Sequence, residues 1–172
     1  VRDDRFMKRK IELHDIYQSS YNAIVWNLSD PLFGDARVRR ALAMSFDRQS
    51  VIDRLYHGQA RPVSGPFTPE QWANNPQIVP VEFNLQGAAA LLASAGWRDS
   101  DADGVLDRAG SKFAFDILIP AGNAPSAGQA QVLQEALKTI GVNMEIRPLD
   151  DAAFFEMILK RNFQAAFLAR TQ

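Results

Sequence analysis

The spacing of hydrophobic and polar residues predicts strands and helices that alternate along most of the chain. NAIVWNL (22–28) has the length and the β-branched and aromatic content of a strand. Asp35 and Asp47 are suited to cap two successive helices, because a carboxylate placed before a helix accepts hydrogen bonds from its first free N–H groups. The predicted inward faces are Val38, Ala41, Leu42 and Ser45 on the first helix, and Val51, Ile52, Leu55 and Tyr56 on the second.

The second half of the chain continues this alternation. Asn84 is predicted to cap a helix that ends at Gly96, and another helix is predicted from about Ser126 to Ile140. The predicted strands are FAFDILI (113–119), VNMEIRP (142–148) and QAAFLA (164–169), and a helix with Phe154, Phe155, Ile158 and Leu159 separates the last two. Strands that alternate with helices predict an α/β fold, in which crossover helices cover the faces of a sheet.

The stretch from Pro62 to Pro80 contains five prolines and predicts an irregular loop over residues 62–80. Trp72 lies in this loop, so we expect its side chain to be exposed. Other large aromatic residues are expected in the core, because large apolar side chains are buried by default: Trp26, Trp97, Phe154, Phe155 and Phe167.

Composition narrows the classes of protein that fit this pattern. With 172 residues, 47% of them hydrophobic, the chain can bury one sizeable core. A net charge of −1, with both signs mixed, argues against a nucleic-acid or membrane-surface role. The absence of cysteine excludes disulfides, thiolate metal sites and a cysteine nucleophile. The chain begins at Val1 in a charged stretch without a signal peptide, so we expect a piece of a processed protein.

The segment GWRDSDADGVLDRAG (96–110) matches part of a calcium-binding loop. Asp99, Asp101 and Asp103 fall at ligand positions 1, 3 and 5 of an EF-hand, and Asp107 falls at position 9. Position 12, which should supply a bidentate carboxylate, is a glycine. The alternative is a turn without metal, in which the aspartates accept hydrogen bonds from nearby backbone N–H groups and Gly104 adopts a positive φ. The missing ligand favours the turn.

No cluster of residues in the sequence indicates catalysis. Arg37, Arg39 and Arg40 lie on a predicted amphipathic helix close to aspartates, which is typical of a solvated, salt-bridged face. His14 and His57 are far apart and match no serine–acid pattern. The sequence therefore predicts neither an enzyme nor a cofactor.

Three long segments carry more specific information than these patterns. WNLSDPLFGDARVRRALAMSFDRQSVIDRLYHGQARPVSGPF (26–67) contains an asparagine-ended strand, the motif P-x-F-x-D-x-R-V-R-x-A-L, an Asp-Arg pair and a Pro-Gly-Pro-like loop. FNLQGAAALLASAGWRDSDADGVLDRAGSKFAFDILI (83–119) contains a helix ending in A-G-W, an acidic turn and a strand. LQEALKTIGVNMEIRPLDDAAFFEMILKRNFQAAFLA (133–169) follows. In order and spacing, nearly the whole chain from about Tyr21 resembles the family 5 extracellular solute-binding proteins of the dipeptide/oligopeptide-binding type.

The resemblance implies the substrate-binding component of an ABC importer, with a type II periplasmic-binding-protein-like fold in which two lobes close on a ligand. Residues 1–172 would form most of the C-terminal lobe, as a mixed sheet flanked by helices. The implied partners are a small solute such as a peptide, a membrane permease and the N-terminal lobe of the same protein, with no nucleic acid. The implied location is periplasmic or extracytoplasmic.

Matching positions of this sequence to those of the family places the ligand-facing parts of such a lobe at strand ends. This agrees with the rule that open α/β sheets bind ligands outside the carboxyl ends of their strands. The residues implied in this way are Asn123, Ser126, Asp151, Phe167 and Arg170. Arg170 would suit a peptide carboxylate. The competing hypothesis is a calcium-binding structural or interaction module built on residues 99–107.

Overall fold

The computed structural model describes residues 20–171, and His14 lies outside the described residues. The helices within this range are α1 (Ala36–Met44), α2 (Arg48–Leu55), α3 (Leu85–Ser94), α4 (Ala124–Thr139) and α5 (Asp151–Leu159). The strands are β1 (Ser20–Trp26), β2 (Asp107–Arg108), β3 (Ser111–Lys112), β4 (Ala114–Pro120), β5 (Asn143–Leu149) and β6 (Ala165–Thr171). Among the described helices, none combines the length and the hydropathy needed to cross a bilayer.

Four strands form the main sheet, in the order β1–β6–β4–β5. β4 runs parallel to both β5 and β6, and β1 pairs antiparallel with β6. This mixed sheet flanked by helices confirms the predicted fold class. The register pairs Ser20 with Thr171 and Pro120 with Leu149. The start of β1 therefore lies at the edge where the three parallel strands end, which we call the carboxyl edge.

The alternation of side chains along the strands divides the core between the two faces of the sheet. On one face, Phe115 and Ile117 of β4 pack with α1, α3 and α4 in the main core. On the other face, Leu118 and Ala166 pack with Phe154 of α5 in a much smaller cluster, which we call the small core. The two crossover helices α4 and α5 thus cover opposite faces, as expected for parallel strands joined by helices.

The predicted helix N-caps form as expected. The side chain of Asp35 accepts a hydrogen bond from the backbone N–H of Arg37, and Asp47 and Asn84 cap α2 and α3 in the same way. Helix α4 begins at Ala124, two residues before the predicted start, because Asn123 caps it.

The end of β1 is joined to the start of β6 by side-chain amides. Asn27 Nδ2 donates to the backbone carbonyl oxygens of Arg161 and Phe163, at 3.0 and 2.8 Å. Gln164 Nε2 donates to Asp30 Oδ2 at 2.8 Å, and its Oε1 accepts from the backbone N–H of Asp116 at 3.0 Å. These contacts give a physical reason for the asparagine at the end of this strand.

Residues 62–80 contain only turns and bends, and Trp72 is 97% exposed, as predicted. The expectation of a buried Phe155 is wrong, because its side chain is 57% exposed and that of Leu159 is 83% exposed. Helix α5 packs on the sheet through Phe154 and the partly buried Ile158, which lie one turn apart. Residues one position further along the chain therefore face away from the sheet.

Candidate functional site

The carboxyl edge carries four of the five residues that the resemblance implies as ligand contacts. Asn123 is exposed, but its Oδ1 accepts a hydrogen bond from the backbone N–H of Ser126 at 3.0 Å and so caps α4. The Ser126 side chain is buried. Asp151 is exposed in the first turn of α5, and Arg170 is exposed near the end of β6.

The fifth residue, Phe167, lies inside the main core rather than on a surface. Only 3% of it is exposed, so a solute outside the edge would not reach its ring without a rearrangement. None of the five residues lines the pocket described next. The structure therefore brings four of them to one edge, outside the walls of this pocket.

A pocket of about 400 Å³ lies at the carboxyl edge, beside β1. Its walls come from Ser20–Asn22, from α2, from residues 59–63 and 68–70 of the loop, and from Gln129 on α4. Phe46, Ile52 and Val63 contribute apolar surface. Small-molecule sites typically have volumes of roughly 300–1,000 Å³ and combine apolar walls with a few polar groups, so this pocket has the size and character of a binding site.

Three uncharged side chains meet inside the pocket. The hydroxyl oxygen of Tyr56 accepts hydrogen bonds from Asn22 Nδ2 at 3.0 Å and from Gln129 Nε2 at 2.9 Å. Tyr56 follows α2, Asn22 belongs to β1 and Gln129 belongs to α4, so the cluster ties three elements together at the pocket wall. We call these residues the amide–tyrosine cluster. No sequence motif marks it, and the prediction from the sequence missed all three residues.

The charged residues that line the pocket are engaged with other protein groups. Arg61 Nη2 lies 2.7 Å from Glu70 Oε1, and the two form an ion pair. Arg48 Nη1 donates to the backbone carbonyl oxygens of Ala43 and Val81, at 3.2 and 3.0 Å. Burial lowers the pKa of the Arg48 guanidinium. The pocket therefore offers mainly hydrogen-bonding groups and apolar surface, an arrangement suited to binding.

The acidic loop lies elsewhere, and a lysine of the chain pairs with its carboxylates. The carboxylates of Asp99, Asp101 and Asp107 each offer an oxygen within 4.8 Å of the others, a spacing that a cation could bridge. Lys112 Nζ is 2.6 Å from Asp101 Oδ1, 2.9 Å from Asp103 Oδ2 and 4.0 Å from Asp107 Oδ2. These carboxylates raise the pKa of Lys112. The ammonium group thus supplies the positive charge that the calcium hypothesis assigned to a metal.

The backbone of this segment follows the turn predicted as the alternative. Asp99 Oδ2 accepts from the N–H of Gly104 at 3.0 Å, and Asp103 Oδ1 accepts from the N–H of Val105 at 2.9 Å. Gly104 has a φ of 87°. Gly110, at the position where an EF-hand needs its bidentate carboxylate, is part of the two-residue turn between β2 and β3. The calcium-module hypothesis therefore receives no support.

Comparison with known proteins identifies the chain more closely than the pocket can. Residues 3–172 match the model of the family described as bacterial extracellular solute-binding proteins, family 5 Middle. The oligopeptide-binding protein AppA of Bacillus subtilis is 35% identical over 147 residues, which are 84% of this chain and 27% of that protein.

Solved structures agree with this match. The structure of AppA in complex with a nonapeptide has a TM-score of 0.86 and 32% identity, and the match covers 90% of this chain and 32% of that one. NikA from Brucella suis, solved with Fe(III)-EDTA, has the same fold, with a TM-score of 0.83 and 20% identity over 97% of this chain and 34% of that one. The chain spans about a third or less of the length of these relatives. It belongs to the family 5 bacterial extracellular solute-binding proteins, of which it matches the middle segment.

Proposed function

We propose that this chain is most of the C-terminal lobe of the substrate-binding component of an ABC importer, and that the pocket at the carboxyl edge takes part in binding a peptide. The single observation that carries the proposal is this pocket of about 400 Å³, in a chain 35% identical to an oligopeptide-binding protein. The proposed partners are the N-terminal lobe of the same protein and a membrane permease, and the proposed location is extracytoplasmic.

The geometry supports a role that depends on a second lobe. The pocket is lined by residues 59–63 and 68–70, by β1 and by α2, and it is open to solvent, so a solute placed in it would keep one surface uncovered. Closing a second lobe over that surface would add contacts and remove water, which is how two-lobed binding proteins gain affinity. We therefore expect the complete protein to bind peptides, and the 172-residue chain to bind them much more weakly.

Isothermal titration of the complete protein with alanine-based penta- to nonapeptides tests this proposal. Val63 lines the pocket, whereas Val79 lies in the same irregular loop and is 75% exposed. Val63→Arg should weaken peptide binding by about tenfold or more, because it places a charge without a designed partner in the binding surface. Val79→Arg is the matched control and should leave binding unchanged. Peptide binding that survives Val63→Arg at full strength would refute the proposal, as would a complete protein that binds no peptide.

A further inference from the structure

The amide–tyrosine cluster has an incomplete set of hydrogen bonds on its pocket side. A tyrosine hydroxyl can donate one hydrogen bond and accept two. Both acceptor positions of Tyr56 are used, by Asn22 Nδ2 at 3.0 Å and by Gln129 Nε2 at 2.9 Å. Within the described residues, its hydroxyl proton remains free to donate a hydrogen bond. Because Tyr56 lines the pocket, this O–H is available to an acceptor inside it.

The two amide side chains offer hydrogen-bond acceptors rather than a donor. The hydrogen bonds found for Asn22 and Gln129 use only their nitrogen atoms, so within the described residues the oxygens Oδ1 and Oε1 have no protein donor. Gln129 is only 5% exposed. The fully buried side-chain atoms that lack a hydrogen-bond partner do not include its Oε1. Gln129 lines the pocket, so among the described residues this oxygen is left to accept a hydrogen bond from a group placed there. The cluster presents one donor and two acceptors to that space.

We propose that the amide–tyrosine cluster is a specificity-determining subsite that binds an uncharged amide group of the solute, in preference to a carboxylate or an ammonium group. An amide carries an acceptor oxygen and a donor N–H, which match the Tyr56 O–H and the free oxygen of Gln129. The inference rests on the proposed function for the identity of the solute, since the amide would be a peptide bond or an Asn or Gln side chain of a bound peptide.

The charges around the cluster favour the same choice. A carboxylate at the cluster would bring a negative charge toward the oxygens of Asn22 and Gln129, which are acceptors only, and the Arg48 guanidinium that could attract it already donates to two backbone carbonyl oxygens. An ammonium group would face the Tyr56 proton and would share the pocket with the cationic guanidinium of Arg48. Glu70, the one carboxylate that lines the pocket, is in an ion pair with Arg61. An amide satisfies both kinds of group without a net charge.

Three small probes separate these possibilities: N-methylacetamide, acetate and methylammonium. Each is titrated into the ¹⁵N-labelled 172-residue chain, and the side-chain NH₂ signals of Asn22 and Gln129 are followed by NMR. We expect saturable shifts with N-methylacetamide and none with the two ions. Tyr56→Phe removes only the hydroxyl and should weaken the apparent affinity for N-methylacetamide about three- to tenfold, the size of one neutral hydrogen bond.

Two controls guard against a purely structural effect. Gln129→Met should reduce the shift of the remaining Asn22 signal, whereas Gln131→Met, at an exposed position of the same helix, should leave both shifts unchanged. Thermal unfolding of each variant shows whether it remains folded at the temperature of the titration. Shifts of equal size with acetate or methylammonium would overturn the inference. So would an undiminished response in folded Tyr56→Phe, or the absence of any saturable shift.

The inference and the proposed function can fail separately. If N-methylacetamide shifts both signals while the complete protein binds no peptide, the subsite stands and the peptide proposal falls. If peptides bind and Val63→Arg abolishes that binding, but the amide probe has no advantage over the two ions, the subsite falls and the peptide proposal stands.

Discussion

Asp35 shows how much one partly exposed side chain can contribute when its contacts are local. Its carboxylate accepts from the backbone N–H of Arg37 at 2.8 Å and so caps α1. The Arg37 guanidinium also donates to it, with Nη2 lying 2.7 Å from Oδ2. These hydrogen bonds from Arg37 lower the pKa of Asp35 from 3.8 to about 2. The folded chain therefore keeps this carboxylate ionised at pH values where the unfolded chain would protonate it.

This pKa predicts how the stability of the chain depends on pH. Because the folded pKa is below the unfolded value, the contribution of Asp35 is complete above pH 3.8 and is lost as the pH falls toward about 2. Asp35→Asn keeps a capping side chain but cannot titrate. Denaturant unfolding measured from pH 5 to pH 2 should show a shallower fall in stability for this variant.

Arg37→Gln provides the companion measurement. Without the guanidinium, the folded pKa of Asp35 should return toward the unfolded value of 3.8, so the acid-induced loss of stability that this residue causes should become smaller. If Asp35→Asn and the parent chain lose stability with the same slope over this range, the assignment to Asp35 is wrong.

Residues whose partners are near in sequence could be predicted, and residues whose partners are distant could not. The caps Asp35 and Asn84 interact with N–H groups two and three residues away, so the sequence alone reveals them. Tyr56 lies 34 residues from Asn22 and 73 residues from Gln129, and only the folded chain brings them together. The same reason explains why the pocket was missed.

At the scale of elements, the β2–β3 hairpin and the acidic loop form one electrostatic unit. Lys112, at the end of the hairpin, donates to both carboxylate oxygens of Asp101, and this side-chain contact is the main cause of its raised pKa. The hydrogen bond from Lys112 in turn lowers the pKa of Asp103. The hairpin register places Lys112 opposite Asp107, so the ion pairs depend on the turn between the two strands.

Removing this lysine should make the loop sensitive to cations. Lys112→Met leaves Asp101, Asp103 and Asp107 without their common counter-ion, and like charges this close repel each other. We expect a lower melting temperature at low ionic strength, which millimolar CaCl₂ partly restores. The parent chain should show little response to calcium, since the ammonium group already supplies the positive charge.

Lys160→Met is the matched control, because Lys160 pairs with Glu156 on the surface of α5, away from the loop. It should change the melting temperature little, and calcium should not alter it, as is usual for an exposed pair. A calcium response of the same size in both variants would show that the effect does not come from the acidic loop.

The elements themselves were largely predictable from the sequence, but the burial of α5 was not. Helical spacing correctly predicted its existence, yet Phe155, which was expected in the core as a large aromatic residue, is 57% exposed. Five of its nine residues are large and apolar, so the sequence pattern alone does not indicate which narrow side meets the sheet. The positions of Leu118 and Ala166 on the facing strands determine which side of α5 packs on the sheet.

At the scale of the whole molecule, the two faces of the sheet are unequal. The main core contains residues from three helices and from every strand of the main sheet, whereas the small core has only Leu118, Phe154 and Ala166 fully buried. Apolar burial is the principal stabilising contribution, so the face covered by α5 should be the less stable one. We expect this lower stability to appear as local opening of that face while the main core stays intact.

Native-state hydrogen exchange measures this difference. Backbone amides in α5 should exchange through openings of lower free energy than those in α4, which buries Ala130, Leu133 and Leu137 in the main core. Leu133→Ala should cost about 2–5 kcal/mol in global unfolding free energy, as for other buried leucines. Equal protection of α4 and α5 would contradict the inequality of the two cores.

The pairing of β1 with β6 also determines when the fold can form during synthesis. Trp26 pairs with Ala165 and Ser20 with Thr171, so the first described strand must wait for the last before its ladder exists. At typical elongation rates of about 5–20 residues per second, that interval is roughly 7–30 seconds. Until then β1 has no partner strand, and an unpaired strand edge can pair with the wrong strand. Because the first and last described strands pair with each other, the sheet can be completed only after the whole segment has been translated.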